Sequence, residues 1–199
     1  MKLINSRFYG AMMVITDYLL LGLLWLICSF PLITIYGASV SMIYVVDQWH
    51  KGETGIILHL FFTKFKEKFI RRILISGLFL LSFSVIYFDF SLLSTLFSDD
   101  KPIVVGLIVT SLIVGLLFIN MTFIDGITKG LNFVELFKAT VLSLCTNFLL
   151  DMLILVLVLI NGFLVFLLPV TVFFTPIISA IGIYKISCKK KMFIHIRRN

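Results

Sequence analysis

Residues 25–72 decide the fold, and they read WLICSFPLITIYGASVSMIYVVDQWHKGETGIILHLFFTKFKEKFIRR. An apolar run ends at Pro31, a run rich in small residues follows, and a polar corner then leads into a basic, aromatic segment. Because proline lacks a backbone N–H and disfavours helix in the residue before it, the first helix is expected to end there. Apolar runs that meet at polar corners predict helices that cross a membrane repeatedly.

The composition agrees with that interpretation. Of the 199 residues, 60% are hydrophobic and 14% are charged, and the mean hydropathy is +1.14. A soluble domain is about 45–50% apolar and about 25% charged. The sequence therefore predicts an all-α, polytopic transmembrane helix bundle of about six spans with a cytoplasmic amphipathic helix. Residues 1–188 are expected to form one transmembrane bundle domain, and residues 189–199 a basic cytoplasmic tail.

The predicted spans follow the apolar runs at residues 8–29, 33–46, 73–97, 103–124, 139–160 and 163–184. The dipeptide Asn161-Gly162 is interpreted as the turn between the last two spans. The second span is short, and its small residues Gly37 and Ser41 allow another helix to approach closely. Two interpretations of this span stay open, namely a packed central helix and a re-entrant segment that lines a polar cavity.

An amphipathic helix is predicted over His59–Arg72. Lys64, Lys68 and Arg71 share one of its faces at helical spacing, and Phe62, Phe65 and Phe69 share a neighbouring face. Because charged side chains are costly in hydrocarbon, this helix is expected to lie along the cytoplasmic membrane surface with its charges in water.

The distribution of Lys and Arg sets the predicted orientation. The net charge is +7, and basic residues gather in the segment 50–72 and in the C-terminal tail. The positive-inside rule then places both termini in the cytoplasm of a bacterial cell membrane. No basic face on a soluble module is present, so nucleic acid is not an expected partner. The expected partner is the lipid bilayer.

Two polar corners resemble each other. The stretch Asp47-Gln-Trp-His-Lys-Gly is echoed by Asp125-Gly-Ile-Thr-Lys-Gly, and each follows a span that runs from outside to inside. Either residues 47–66 and 125–138 belong to a true internal repeat, as in some transporters, or two cytoplasmic corners are similar by chance.

Three acids fall inside predicted spans, namely Asp17, Asp89 and Asp151, and Asn147 lies one helical turn before the last of them. An acid at the centre of a membrane helix costs about 2.5–3.5 kcal/mol, so each should face the bundle interior or water. These four residues form a candidate intramembrane polar site. It would either bind a proton or cation, or consist of hydrogen-bonded acids that hold helices together.

A second candidate site concerns docking. Basic and aromatic residues beside the two corners are expected to contact a partner protein or anionic lipid. The candidate residues are Asp47, Lys64, Phe65, Lys68, Arg71, Arg72 and Asp125.

No catalytic or metal site is predicted. His50, His59 and His195 do not form a ligand pattern, and the three cysteines are far apart in sequence. The chain contains no H-E-x-x-H motif, phosphate-binding glycine loop or nucleophile elbow. We therefore expect neither an enzyme nor a cofactor.

Residues 20–70 carry a family resemblance. Leu23-Leu24-Trp25-Leu26, Pro31, Thr34-Ile35, Gly52-Glu53 and the run 61–69 together resemble the YesL-like family of bacterial integral membrane proteins with a domain of unknown function. The chain departs from that family at Gly22, where Asn is common, and at Tyr36-Gly37, where Gly-Pro is usual. Members are often encoded near carbohydrate ABC transporters, so the resemblance implies an accessory component of carbohydrate uptake with ABC transporter subunits as partners. The alternative is a small secondary transporter that uses its intramembrane acids.

Overall fold

The computed structural model describes residues 2–53, 55–96, 101–128 and 131–196, and the side chains of 12–53, 55–93, 102–128, 131–168 and 171–188. These parts of the chain are helical and contain no strand. The sequence also predicts a tight turn at residues 98–102, of which 98–100 lie outside the described residues, and the predicted basic tail at 189–199 lies outside the described side chains. The helices are α1 Lys2–Ser29, α2 Ile35–His50, α3 Ile57–Lys66, α4 Phe69–Leu96, α5 Lys101–Ile127, α6 Phe133–Thr146, α7 Phe148–Leu167 and α8 Thr175–Ile196.

The expected all-α polytopic bundle is confirmed. Five stretches of helix within the described residues are long and apolar enough to cross a membrane, namely Met12–Ser29, Phe69–Leu93, Pro102–Ile127, Phe148–Leu167 and Thr171–Cys188. The second predicted span corresponds to α2, which has 16 residues and is therefore about 24 Å long.

Helix α2 is the centre of the bundle. It packs against α1, α3, α4, α5 and α8, and Tyr36, Val40 and Val45 are fully buried in it. Its glycine, Gly37, lies against the ring of Phe65 and the Cβ of Arg72. This close approach is what the small residues of the sequence predicted, and of the two interpretations the helix agrees with the packed central one.

The predicted boundary between the last two spans is wrong. Helix α7 continues through Asn161-Gly162, and the chain turns at the 3₁₀ helix Pro169–Phe173 instead. Asn161 donates its Nδ2 to the carbonyl of Leu157 at 2.8 Å, one turn earlier in the same helix. In hydrocarbon a backbone must satisfy its own hydrogen bonds, so the helix persists until Pro169, which has no N–H.

The segment predicted as one span over residues 139–160 is also two helices. Helix α6 ends at Thr146, and Asn147 adopts a non-helical conformation with φ −134° before α7 begins. The N-terminus of α6 carries a capping box, in which Asn132 and Glu135 satisfy each other's backbone N–H groups.

The surface helix predicted over His59–Arg72 ends early. Helix α3 stops at Lys66, Lys68 has a φ of +51°, and α4 starts at Phe69. Arg71 and Arg72 therefore belong to the first turn of a long membrane helix. Their charges are satisfied inside the protein, as described below, rather than by water.

The two polar corners are followed by the same order of elements. A short helix, a break and a long apolar helix follow α2, and the same three follow α5. Lys129 and Gly130 of the second corner lie outside the described residues.

Candidate functional site: a buried charge network

We use the term basic end for the end of the bundle where α2 and α5 finish and where α3, α4 and α6 begin. The charge network at this end consists of Lys64, Glu67, Lys68, Arg71, Arg72 and Asp125. Its centre is Asp125, which is 4% exposed. Oδ2 accepts from Nε of Arg72 at 3.0 Å, and Oδ1 accepts from Nη2 of Arg71 at 2.6 Å. One carboxylate thus joins the end of α5 to the start of α4.

Lys64 is buried in the same region. Its side chain is 2% exposed, and Nζ lies 2.9 Å from Oε2 of Glu67 and donates to the carbonyl of Thr128 at 3.2 Å. Nζ also lies 5.3 Å from the centre of the Tyr44 ring. Arg72 donates to the backbone carbonyl of Lys64, which closes α3 against α4.

The carbonyl of Leu131 accepts from two cations. Nζ of Lys68 donates to it at 2.8 Å, and Nη1 of Arg71 at 2.5 Å. Leu131 directly precedes the capping box of α6, so these bonds tie the α3–α4 junction to the start of α6. A left-handed backbone conformation costs a residue with a side chain about 1–2 kcal/mol. The hydrogen bond from Lys68 to the carbonyl of Leu131 holds Lys68 in that conformation.

The electrostatics of the network are unbalanced. Four cations face two carboxylates, and carbonyl oxygens of the chain supply the remaining acceptors. Arg72 is 1% exposed, and its Nη2 has no partner among the described residues. Removing one member of a buried ion pair typically costs about 3–5 kcal/mol, so Asp125 is expected to be essential for this packing.

The first corner has a smaller polar contact. Asp47, 4% exposed, accepts from the hydroxyl of Tyr184 in α8 at 3.0 Å and pairs with Lys51 at 2.5 Å. The ring of Tyr184 packs against His50. Both corner aspartates therefore bind side chains from other helices.

A third polar contact lies deeper in the bundle. Asp151 is fully buried at the start of α7, and its Oδ1 accepts from Nδ2 of Asn120 in α5 at 2.9 Å. Asn120 also lies within 3.5 Å of the Ser143 hydroxyl in α6. This contact joins three helices at membrane depth.

The other members of the predicted intramembrane site lie elsewhere. Asn147 shares no helix face with Asp151, because it caps the break between α6 and α7 and donates to the hydroxyl of Thr146 at 2.8 Å. Asp17 is half-buried and Asp89 is exposed. Within the described residues, no hydrogen bond or ion pair joins Asp17 or Asp89 to Asn120 or Asp151.

Five of the seven predicted docking residues come together in the charge network, but not as an outward surface, and Asp47 lies apart from them at the first corner. Asp47, Lys64, Arg72 and Asp125 are buried. The expectation that the charges of the 59–72 helix stay in water is therefore wrong for Lys64 and Arg72. The residues that face outward from α3 and α6 are instead largely apolar, among them Leu58, Phe62, Phe133, Val134 and Phe137.

Sequence reasoning missed three partners of the acids, namely Tyr36, Asn120 and Tyr184. The sequence did indicate a polar partner for Asn120, since an amide inside an apolar span needs one. The hydroxyl of Tyr36 lies 3.4 Å from Oδ2 of Asp125, 89 residues away in sequence, and no local pattern indicates that contact.

A half-open cavity of about 430 Å³ lies among α1, α2, α5, α7 and α8. Trp25, Met42, Phe118, Val158 and Ile183 are among its lining residues. It is separate from the charge network, since none of the six network residues lines it.

The fold and these polar contacts define a multi-pass helical membrane protein whose charged corner is internal. Residues 18–90, which run from α1 to α4, match the model of a family described as protein of unknown function, DUF624. This range contains the first corner and five of the six network residues, but not Asp125. No curated protein and no solved structure matches the chain.

Proposed function

We propose that this chain is a non-enzymatic accessory component of carbohydrate uptake in the bacterial cell membrane, that it is YesL-like, and that it docks to ABC transporter subunits with both termini in the cytoplasm. The link to carbohydrate uptake rests on the resemblance of residues 20–70 to the YesL-like family. The family match over residues 18–90 covers the same part of the chain and supports a shared architecture there.

The observation that carries the docking proposal is the outer surface of α3 and α6. Phe62 is 38% exposed on α3, and Phe133 and Phe137 are 43% and 48% exposed on α6. Lys66 and Lys138 lie beside them on the exposed faces. Aromatic side chains with a basic rim are typical of surfaces that bind another protein.

The charge network gives this surface a fixed shape. Lys64 bonds to Thr128, and Lys68 and Arg71 bond to Leu131, so α3 is held to the corner from which α6 starts. A surface that is ordered before binding loses less conformational entropy when a partner docks. Such ordering gives a functional reason for four cations to be directed inward at this corner.

Co-purification tests the proposal. The tagged protein is solubilised in mild detergent from its native membrane, and the bound proteins are identified by mass spectrometry. We expect ABC transporter subunits with the wild type and with Phe88→Ser, a control exposed on α4, and a several-fold loss with Phe62→Ser combined with Phe133→Ser. Absence of ABC transporter subunits from all three preparations would contradict the proposal.

A second candidate function is a small secondary transporter, and the buried Asn120–Asp151 contact favours it. Polar pairs at membrane depth are a recurrent feature of ion pathways. Purified protein in liposomes distinguishes the two candidates. Solute flux driven by a proton or sodium gradient, and abolished by Asp151→Asn, would support the transporter.

A further inference from the structure

The cavity among α1, α2, α5, α7 and α8 lies in the membrane-spanning part of the bundle. Trp25 of α1, Phe118 of α5, Val158 of α7 and Pro176 of α8 line it, and all four belong to candidate membrane spans. Its volume of about 430 Å³ is within the range of small-molecule sites, about 300–1,000 Å³. A ligand of this cavity would therefore lie at the depth of the lipid acyl chains.

The walls exclude ions and sugars. No charged side chain lines the cavity. The hydroxyls of Ser39 and Thr122 already donate to the carbonyls of Ile35 and Phe118, at 2.8 and 2.7 Å. Trp25 donates its indole N–H to Ser39 at 3.1 Å. A polar ligand would lose its hydration without gaining enough hydrogen bonds in return.

One edge of the cavity is polar and neutral. Thr175 and Ser179 are one turn apart on α8, and Asn161 of α7 also lines the cavity. Asn161 uses its Nδ2 within its own helix, which leaves Oδ1 as an acceptor. Among the described residues, the hydroxyls of Thr175 and Ser179 have no hydrogen-bond partner. Two hydroxyls and one amide oxygen can thus bind a small, uncharged head group.

The cavity has an open wall at Gly162. This residue lines the cavity and is also exposed on the outside of α7. A Cβ built at Gly162 meets no atom within 4 Å. Because no side chain covers this part of the wall, we assign the entrance of a ligand from the bilayer to Gly162.

We infer that this cavity binds a neutral membrane amphiphile, with its apolar chain against the aromatic and aliphatic walls and its hydroxyl or ester group at Asn161, Thr175 and Ser179. The inference is independent of the docking proposal, because it uses no residue of α3, α6 or the charge network. Binding of such a lipid would fill space that the bundle itself leaves empty.

Photo-crosslinking tests the site. The purified protein in nanodiscs is exposed to a long-chain alcohol that carries a diazirine near its hydroxyl, and labelled peptides are mapped by mass spectrometry. We expect labels on α7 and α8 at the cavity wall. An unlabelled alcohol of the same chain length should compete several-fold better than the corresponding alkane.

Gly162→Leu should reduce this labelling several-fold, because its side chain fills the opening. Gly115→Leu is the matched control, since Gly115 also has open space around it and does not line the cavity. If Gly162→Leu fails to fold, Ser179→Val tests the polar edge instead, and it should remove the advantage of the alcohol over the alkane. Labelling spread over the outer helix faces and unchanged in these variants would overturn the inference, as would equal competition by alcohol and alkane in the wild type.

Discussion

Arg72 and Asp125 form a buried ion pair across 53 residues of sequence, with 3.0 Å between Nε and Oδ2. Arg72 is in the first turn of α4, and Asp125 is in the last turn of α5. The pair therefore fixes two membrane helices at the basic end. It also explains why the basic segment after the first corner folds onto α5 rather than lying on the membrane surface.

The left-handed conformation of Lys68 gives a first prediction. Both Lys68→Gly and Lys68→Ala remove the hydrogen bond to Leu131, but only glycine tolerates a φ of +51° without strain. We expect Lys68→Gly to be more stable than Lys68→Ala by about 1 kcal/mol. Unfolding in mixed micelles with increasing SDS measures the difference. The same pair of substitutions at Thr63, inside α3, should give the opposite order. Equal stability of the Lys68 variants would contradict the assigned conformation.

The close packing of α1 gives a second prediction. A Cβ at Gly22 would overlap the carbonyl oxygen of Phe173, in the 3₁₀ turn between α7 and α8. Gly22→Ala should therefore lower the thermal midpoint of unfolding in detergent, because backbone atoms cannot move aside as a flexible side chain can. Gly77→Ala is the control, since nothing lies within 4 Å of its Cβ position. A midpoint unchanged in Gly22→Ala would contradict this contact.

The same contact bears on the departure from the YesL-like pattern. Asn is common in that family at the position of Gly22, and in this chain its side chain would meet Phe173. The close packing of α1 against Phe173 accounts for the glycine at this position.

The sequence allowed the fold class, the apolar helices and the two corners to be predicted, because each depends on local composition. It did not allow the inward direction of the charges to be predicted. Helical spacing places Lys64 and Phe65 on different faces, but which face meets the bundle depends on Asp125, far away in sequence. A corner rich in lysine and arginine resembles a solvated surface until its distant carboxylate is known.

The positions of the helix breaks could not be predicted from the sequence for a different reason. Neither glycine nor proline marks the end of α3 at Lys66 or the end of α6 at Thr146. Asn161-Gly162, in contrast, is a common turn in water, but a helix in hydrocarbon continues through it. Turn signals learned from soluble proteins therefore failed in both directions.

The orientation gives a third prediction. A single cysteine at Ser98 should react with a membrane-impermeant maleimide added outside intact cells, and one at Lys190 should not, because the basic segments are expected in the cytoplasm. The background carries alanine at Cys28, Cys145 and Cys188. A cysteine at Glu53, exposed at the first corner, serves as a second internal position. Labelling of the cysteines at Glu53 and Lys190, without labelling at Ser98, would show the opposite orientation and contradict the prediction.

The fold, and with it the docking surface that we propose, depends on the internal charge network, and a double-mutant cycle on its central pair tests this most directly. The free energy of unfolding is measured for the wild type, Arg72→Met, Asp125→Leu and the double variant. We predict that Asp125→Leu loses about 3–5 kcal/mol, since it leaves Arg72 buried without a carboxylate, and that Arg72→Met loses less, since Arg71 still pairs with Asp125. The double variant should lose clearly less than the sum of the two. Losses that add to within about 0.5 kcal/mol would mean that the two residues do not interact, and would contradict the account.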